Sequence, residues 1–260
     1  MLALLLLSSA FASAAAPVFT PVTTERAGAV IDWSALTLSL QEGASPVAGS
    51  RGELQVVEQQ ARSALGPRVL AAAGDLRVDA STRARDLIES GSPLGETLGQ
   101  GLSSWEVREA RYFLSGRVEL AAELDLRTWL EPVVRARASV EAPREAPSSR
   151  FTGVVVDARG LGAEGALAPR LLGPDGQVLY GAEQVLEAAA RKRSPAQYVS
   201  DPGDPRAFQR AGASPLLLRA AAVQDGVDLV LGAEDTARLR ATASDPKLLP
   251  EARVVLVLDP

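Results

Sequence analysis

Apolar positions along this chain recur with two periods, and the switches between them divide it into strands and helices. Ile31 and Trp33 alternate with polar neighbours, and Leu36, Leu38 and Leu40 then alternate in the opposite phase. A side-chain period of two cannot slip by one residue without exchanging faces. The slip at Ser34-Ala35 therefore predicts two short strands about a tight turn. From Leu54 the period lengthens: Val57, Ala61, Ala64 and Leu65 share one face of a helix, with Ser50 as its expected cap. Gly66-Pro67 is expected to break or kink that helix, with Gly74 as its stop. A second helical region is expected from a cap at Ser81 through Leu87 and Ile88, interrupted at Gly91-Ser92-Pro93 and resumed by Leu94, Leu98 and Leu102. The period returns to two in "VREARYFLSGRVELAAELDL", which predicts a strand pair about Ser115-Gly116. Val118, Leu120, Ala122, Leu124 and Leu126 share one face, and Arg117, Glu119, Glu123 and Asp125 the other.

Residues 136–149 lose all periodicity and gather Ala, Pro, Glu and Ser, the composition of a linker. Beyond it, "FTGVVVD" is a strand, and "APRLLGPDGQVLYG" a hairpin about Pro174-Asp175-Gly176. Residues 182–192 have helical spacing through Val185, Leu186 and Ala189, and 194–206 is expected as a loop. A turn at Asp225-Gly226, a short helix in "AEDTARLRATAS" and a terminal strand in "ARVVLVLD" complete the pattern. Sheets with one wet face and one face under helices give the α+β class. The expectation is two domains, 28–135 and 150–260, each a mixed or antiparallel sheet packed with helices.

Composition narrows the chemistry. The 260 residues contain no cysteine and no histidine, which removes thiol nucleophiles, disulfides, Cys or His zinc sites and every His-based triad. Catalysis would rest on Asp, Glu, Lys, Tyr or Ser alone. A net charge of −5 argues against a nucleic-acid surface. The first residues, "MLALLLLSSAFASAAAP", have the layout of a secretory leader, with Ala12-Ser13-Ala14 as the cleavage signal. The apolar run is too short for a permanent membrane span. Removal of 1–14 and export to the periplasm, with no transmembrane segment afterwards, are the expectations.

The most pointed stretch is "FTGVVVDARGLG", where a strand runs into Asp157, Arg159 and Gly160. A carboxylate at a strand end can hold a metal or take a proton. Peptidoglycan amidases carry a similar apolar run to Asp, but their zinc needs His ligands that this chain lacks. A phosphatase-type Asp nucleophile would have a second Asp two residues on, where Arg159 stands. Arg159 reads better as an ion-pair partner. The glycines match neither a P-loop nor a dinucleotide fingerprint and read as turn residues. Arg191, Lys192 and Arg193 form a basic knot at an expected helix end, a place for an anion. Trp33, Trp105, Tyr112 and Trp129 read as core anchors.

"VIDWSALTLSLQ", "GDLRVDASTRARDLI" and "YFLSGRVELAAELDL" together resemble the domain shared by small envelope lipoproteins and the N-terminal part of the flagellar assembly protein T. The second half, with "TGVVVDARGLG" and the "APR" that contains Arg170, resembles the C-terminal segment of uncharacterised secreted bacterial relatives. The resemblance implies no cofactor, no metal and no catalytic residues. It implies a non-enzymatic envelope protein whose partners are envelope or flagellar-associated proteins. Asp157, Arg159, Gly160 and Arg170 are then structural or ligand-binding candidates. An envelope ligand-binding module for a glycan or anionic lipid, and a carboxylate-only metal-dependent hydrolase, are the alternatives.

Overall fold

A computed structural model describes residues 19–46, 53–137, 150–242, 245 and 247–260. The expected leader at 1–14, the cap at Ser50 and nearly all of the expected linker lie outside the described residues.

The first half is built on a five-stranded antiparallel sheet. Its strands are β1 (Thr23–Arg26), β2 (Ala29–Asp32), β3 (Thr37–Ala44), β4 (Glu106–Tyr112) and β5 (Val118–Asp125), in the order β1-β2-β3-β5-β4. The phase slip becomes the turn between β2 and β3, where Leu36 takes a positive φ of 60°. On β5, Val118, Leu120, Ala122 and Leu124 are buried while their neighbours stay half exposed. Helix α1 (Leu54–Gly74) lies across β3 and β5 and buries Val57, Ala61, Leu65 and Val69. Burying each of the larger side chains, Val57, Leu65 and Val69, is worth about 1.5–3 kcal/mol.

Two expectations for this half need correction. Of the break or kink expected at Gly66-Pro67, the break does not occur: α1 is one helix through Pro67. The carbonyl that the missing N–H leaves without its helical partner belongs to Ser63, and both residues sit on the exposed face, open to solvent. Nor does Ser81 cap a helix: α2 (Ala84–Glu89) begins after Arg83. The backbone N–H groups of Ser81 and Thr82 instead donate to Asp79 Oδ1, at 2.9 and 2.8 Å, closing a turn before the helix. The expected interruption at Gly91-Ser92-Pro93 separates α2 from α3 (Pro93–Gly101), which Ser92 caps, its hydroxyl accepting from the Gly95 N–H at 3.1 Å. Helix α4 (Arg127–Arg135), with no counterpart in the pattern reading, buries Trp129, Leu130, Val133 and Val134.

The second half is a seven-stranded mixed sheet in the order β8-β7-β11-β10-β6-β12-β9. It comprises β6 (Val154–Asp157), β7 (Leu171–Leu172), β8 (Val178–Tyr180), β9 (Gln197–Val199), β10 (Leu216–Gln224), β11 (Asp228–Leu231) and β12 (Val254–Val257). Strand β6 runs parallel to β10 and β12, and β12 parallel to β9. Both faces of β6 are covered. Val154 and Val156 join the main core, whereas Val155 packs with Val199, Val255 and Val257 beneath Ala207 and Ala211 of α6 (Pro205–Ala211).

Two more expectations fail here. Residues 182–192 are not one helix: only α5 (Glu187–Ala190) is α-helical, because Val185 and Leu186 are extended. Val185 is fully buried and the Leu186 N–H donates to Pro250 O at 2.9 Å, so tertiary contacts override the local pattern. The expected loop 194–206 contains β9 and the start of α6. Helix α7 (Ala233–Thr242) lies where predicted. Among the described residues no helix is long and apolar enough to cross a membrane.

One buried cluster runs without interruption from Ile31 and Leu124 through Val133 to Val154 and Leu256. Across the junction the Leu167 and Ala168 N–H groups donate to the carbonyls of Arg77 and Val78, at 3.0 and 2.7 Å. The Trp33 ring meets Tyr198 at 5.8 Å, and Arg26 pairs with Glu164 at 2.6 Å.

Candidate functional site

Asp157 closes β6 at the carboxyl ends of the parallel strands, the edge where open α/β sheets commonly hold ligands. Its register partners are Arg219 on β10 and Val257 on β12. The Arg159 guanidinium grips the carboxylate in a fork, with Nε 3.0 Å from Oδ1 and Nη2 2.7 Å from Oδ2. The Arg159 backbone N–H also donates to Oδ1 at 3.1 Å. These bonds, the guanidinium's first, hold the Asp157 carboxyl below the usual carboxylate range despite an opposing contribution from burial. Such a group is a poor base and already has its counter-ion.

Gly160 turns the chain away with a φ of 79°, a left-handed conformation that glycine adopts without strain. Its N–H donates to both carboxylate oxygens of Asp259, at 3.1 and 3.0 Å. The strand end is thus two Asp residues tied to one turn, Asp157 by Arg159 and Asp259 by Gly160. Among the described residues no three acidic side chains converge as metal ligands.

Arg170 lies elsewhere. It points its guanidinium at Asp228, donating through Nε at 2.9 Å and more closely through Nη2. Asp228 has no exposed surface at all, and its Oδ1 has no hydrogen-bond partner. This pair welds the start of β7 to β11, away from the Asp157 turn. The structure therefore joins Asp157, Arg159 and Gly160 in one turn and separates Arg170 from them.

Of the aromatic residues, Trp33 and Trp129 are buried and Trp105 half-buried, but Tyr112 is 52% exposed at the end of β4. The core-anchor expectation fails for Tyr112, whose hydroxyl bonds Glu58 on the surface at 3.0 Å. It begins a run, Tyr112-Phe113-Leu114, at the tip of the β4–β5 hairpin, in which all three side chains face solvent.

The basic knot has more company than the sequence suggested. Arg191, Lys192 and Arg193 line a cleft of about 580 Å³ that also takes in Arg127, Arg206 and Arg210. Its walls come from both halves: the β2–β3 turn and α4 on one side, residues 190–197 and α6 on the other. Sequence reading missed Arg206 and Arg210 because it ended a loop at 206 and assigned no element to the residues that follow, so α6 was not seen. The signal was present in Asp204-Pro205, an N-cap followed by a first-turn proline, and in Gly212 at the helix end.

A family model described as the second domain of the Treponema pallidum protein Tp0624 matches residues 153–260. The match opens at the residue before β6 and covers the whole mixed sheet, so this half of the chain is similar to that domain. No curated protein matches the chain.

Proposed function

We propose that this is a non-enzymatic protein of the cell envelope that acts by contact with other envelope proteins. The observation that carries the reading is the β4–β5 hairpin tip, where Leu114 is wholly exposed beside Tyr112 and Phe113. Solvated apolar runs of this kind mark contact surfaces. Strand β4 is also a sheet edge among the described residues, with no strand of these paired to its outer side. The ion-paired state of Asp157 supports a role without catalysis, since the best-placed carboxylate is neutralised where it stands. The leader-like N-terminal run supports export to the periplasm. The resemblance to envelope lipoproteins and to the flagellar assembly protein T supports envelope or flagellar-associated partners.

Cross-linking in the native host tests the reading. A photoreactive residue placed at Leu114 is expected to give discrete adducts with envelope proteins. The same probe at exposed Glu234 on α7 is expected to give none. Equal or absent adducts at the two positions would sink the proposal.

A further inference from the structure

The cleft between the halves carries an imbalance of charge that the fold does not explain. Three of its six cations have carboxylate partners: Arg191 pairs with Glu187 and Arg206 with Asp204, each at 2.6 Å, and Arg127 with Asp125 at 3.4 Å. The remaining three, Lys192, Arg193 and Arg210, have none among the described residues. Glu131, the cleft's acidic wall residue, is turned to Arg135 at 3.6 Å. The Lys192 side chain makes no hydrogen bond among the described residues, and the Arg193 side chain makes one long bond there, to Glu251 O at 3.4 Å.

Arg210 is the most constrained of the three. Its Nη1 donates to the carbonyls of Ser194 and Ala252, at 2.8 and 2.9 Å, and its Nη2 to Ser194 Oγ at 3.1 Å. Neutral acceptors thus engage three of the five guanidinium N–H groups and leave two. Burial pushes the Arg210 guanidinium down to about 10, against an opposing contribution from Tyr180 and with the like charge of Arg193 adding to it. A cation held this way is displaced from water with hydrogen-bond acceptors around it but no counter-ion among the described residues.

We propose that the inter-half cleft binds a phosphate-bearing ligand, with Lys192, Arg193 and Arg210 supplying the charge that neutralises it. A phosphate monoester is close to dianionic at neutral pH and presents three terminal oxygens, matching several converging donors. A lone carboxylate would bring one charge and leave most of the repulsion in place. The volume fits a small phosphorylated compound or the headgroup of a phosphomonoester lipid. The ligand would touch both halves and fix them against each other. This site is independent of the hairpin tip, so either proposal can fail alone.

Thermal melts of the full chain at constant ionic strength test it, with inorganic phosphate and sn-glycerol 3-phosphate as soluble probes and chloride as control. The lipid arm is co-sedimentation with vesicles containing phosphatidic acid, against vesicles of phosphatidylglycerol, a diester of lower charge. A rise in Tm with the soluble probes assigns a soluble ligand, and selective retention on phosphatidic acid assigns a lipid headgroup. Either supports the site if Lys192→Gln with Arg193→Gln weakens the response by about tenfold or more without lowering the unliganded melt, which relief of the like-charge repulsion is expected to hold or raise. Both side chains have weak or no protein contacts, so that variant is expected to fold. No response in either arm, or a response that the double variant retains, overturns the proposal.

Discussion

Asp157 and Asp228 each face an arginine, and the surroundings decide what each pair is worth. The Asp157–Arg159 side chains are 35% and 42% exposed, so water screens the attraction. An exposed pair of this kind contributes at most about 1 kcal/mol, even with fork geometry. Asp157→Asn is therefore expected to lower stability by less than about 1 kcal/mol. Asp228 has no exposed surface, and its charge depends on Arg170. Arg170→Ala strands that charge in the interior and is expected to cost about 3–5 kcal/mol. Urea melts of the two variants side by side check the ordering. A metal-binding Asp157 would show the opposite signature: a rise in Tm on adding Mg²⁺, Mn²⁺ or Ca²⁺ to the wild type but not to Asp157→Asn. Both arginines stood out in the sequence, yet their burial did not. Asp228, in "DGVDLVLG", gave no sign that it would be the carboxylate at greatest risk.

At the scale of elements, the readable parts are those where pattern and tertiary demand agree. The β2–β3 turn, both hairpins about Ser115-Gly116 and Asp225-Gly226, and the alternating β5 all follow from period-two spacing with turn residues between. Where packing competes with pattern, the sequence misleads. Val185 and Leu186 have helical spacing but are extended, and Leu186 bonds a distant carbonyl at Pro250. Helix α6 hides for the opposite reason. Its inward face is only Ala207 and Ala211, too small to give a visible period, although its cap residues are present. The basic cleft was half legible: the 191–193 knot is contiguous, but Arg127 and Arg210 reach it through folding. Pro67 offers a test at this scale. Helix α1 tolerates it at position 67 because Ser63 is exposed, but the hydrogen bond is still lost. Pro67→Ala is expected to raise stability by about 1–3 kcal/mol, less than the full helix-interior penalty because proline also restricts the unfolded chain. A chemical-denaturation midpoint at or below wild type would show that the helix bends around Pro67 to satisfy a tertiary need.

The described residues form two sheets that share one main core, and that combination sets how the molecule should come apart. Each half has its own strand ladder, and the family match to residues 153–260 covers the mixed sheet alone. Yet the halves exchange backbone hydrogen bonds at Leu167 and Ala168, and Trp33 is in ring contact with Tyr198. Gly165 sits so close to Trp33 that a Cβ there would lie 2.3 Å from the indole ring. Contacts of this kind resemble a domain interior more than a loose interface. The Ala- and Pro-rich composition of 136–149 still marks that segment as the first site of mild proteolysis. The structure extends the expected first unit of 28–135 to include β1 (Thr23–Arg26), which pairs with β2; that fragment and 150–260 are expected to survive the cut and to co-elute on size exclusion as one particle. The nicked protein should unfold in a single transition, because neither half can separate without exposing the shared cluster around Trp33, Val133 and Leu256. Separate elution of the fragments, or two resolved transitions in the uncut chain, would show that the shared core contributes little. The cleft between the halves would then lack the rigid walls that a ligand site needs.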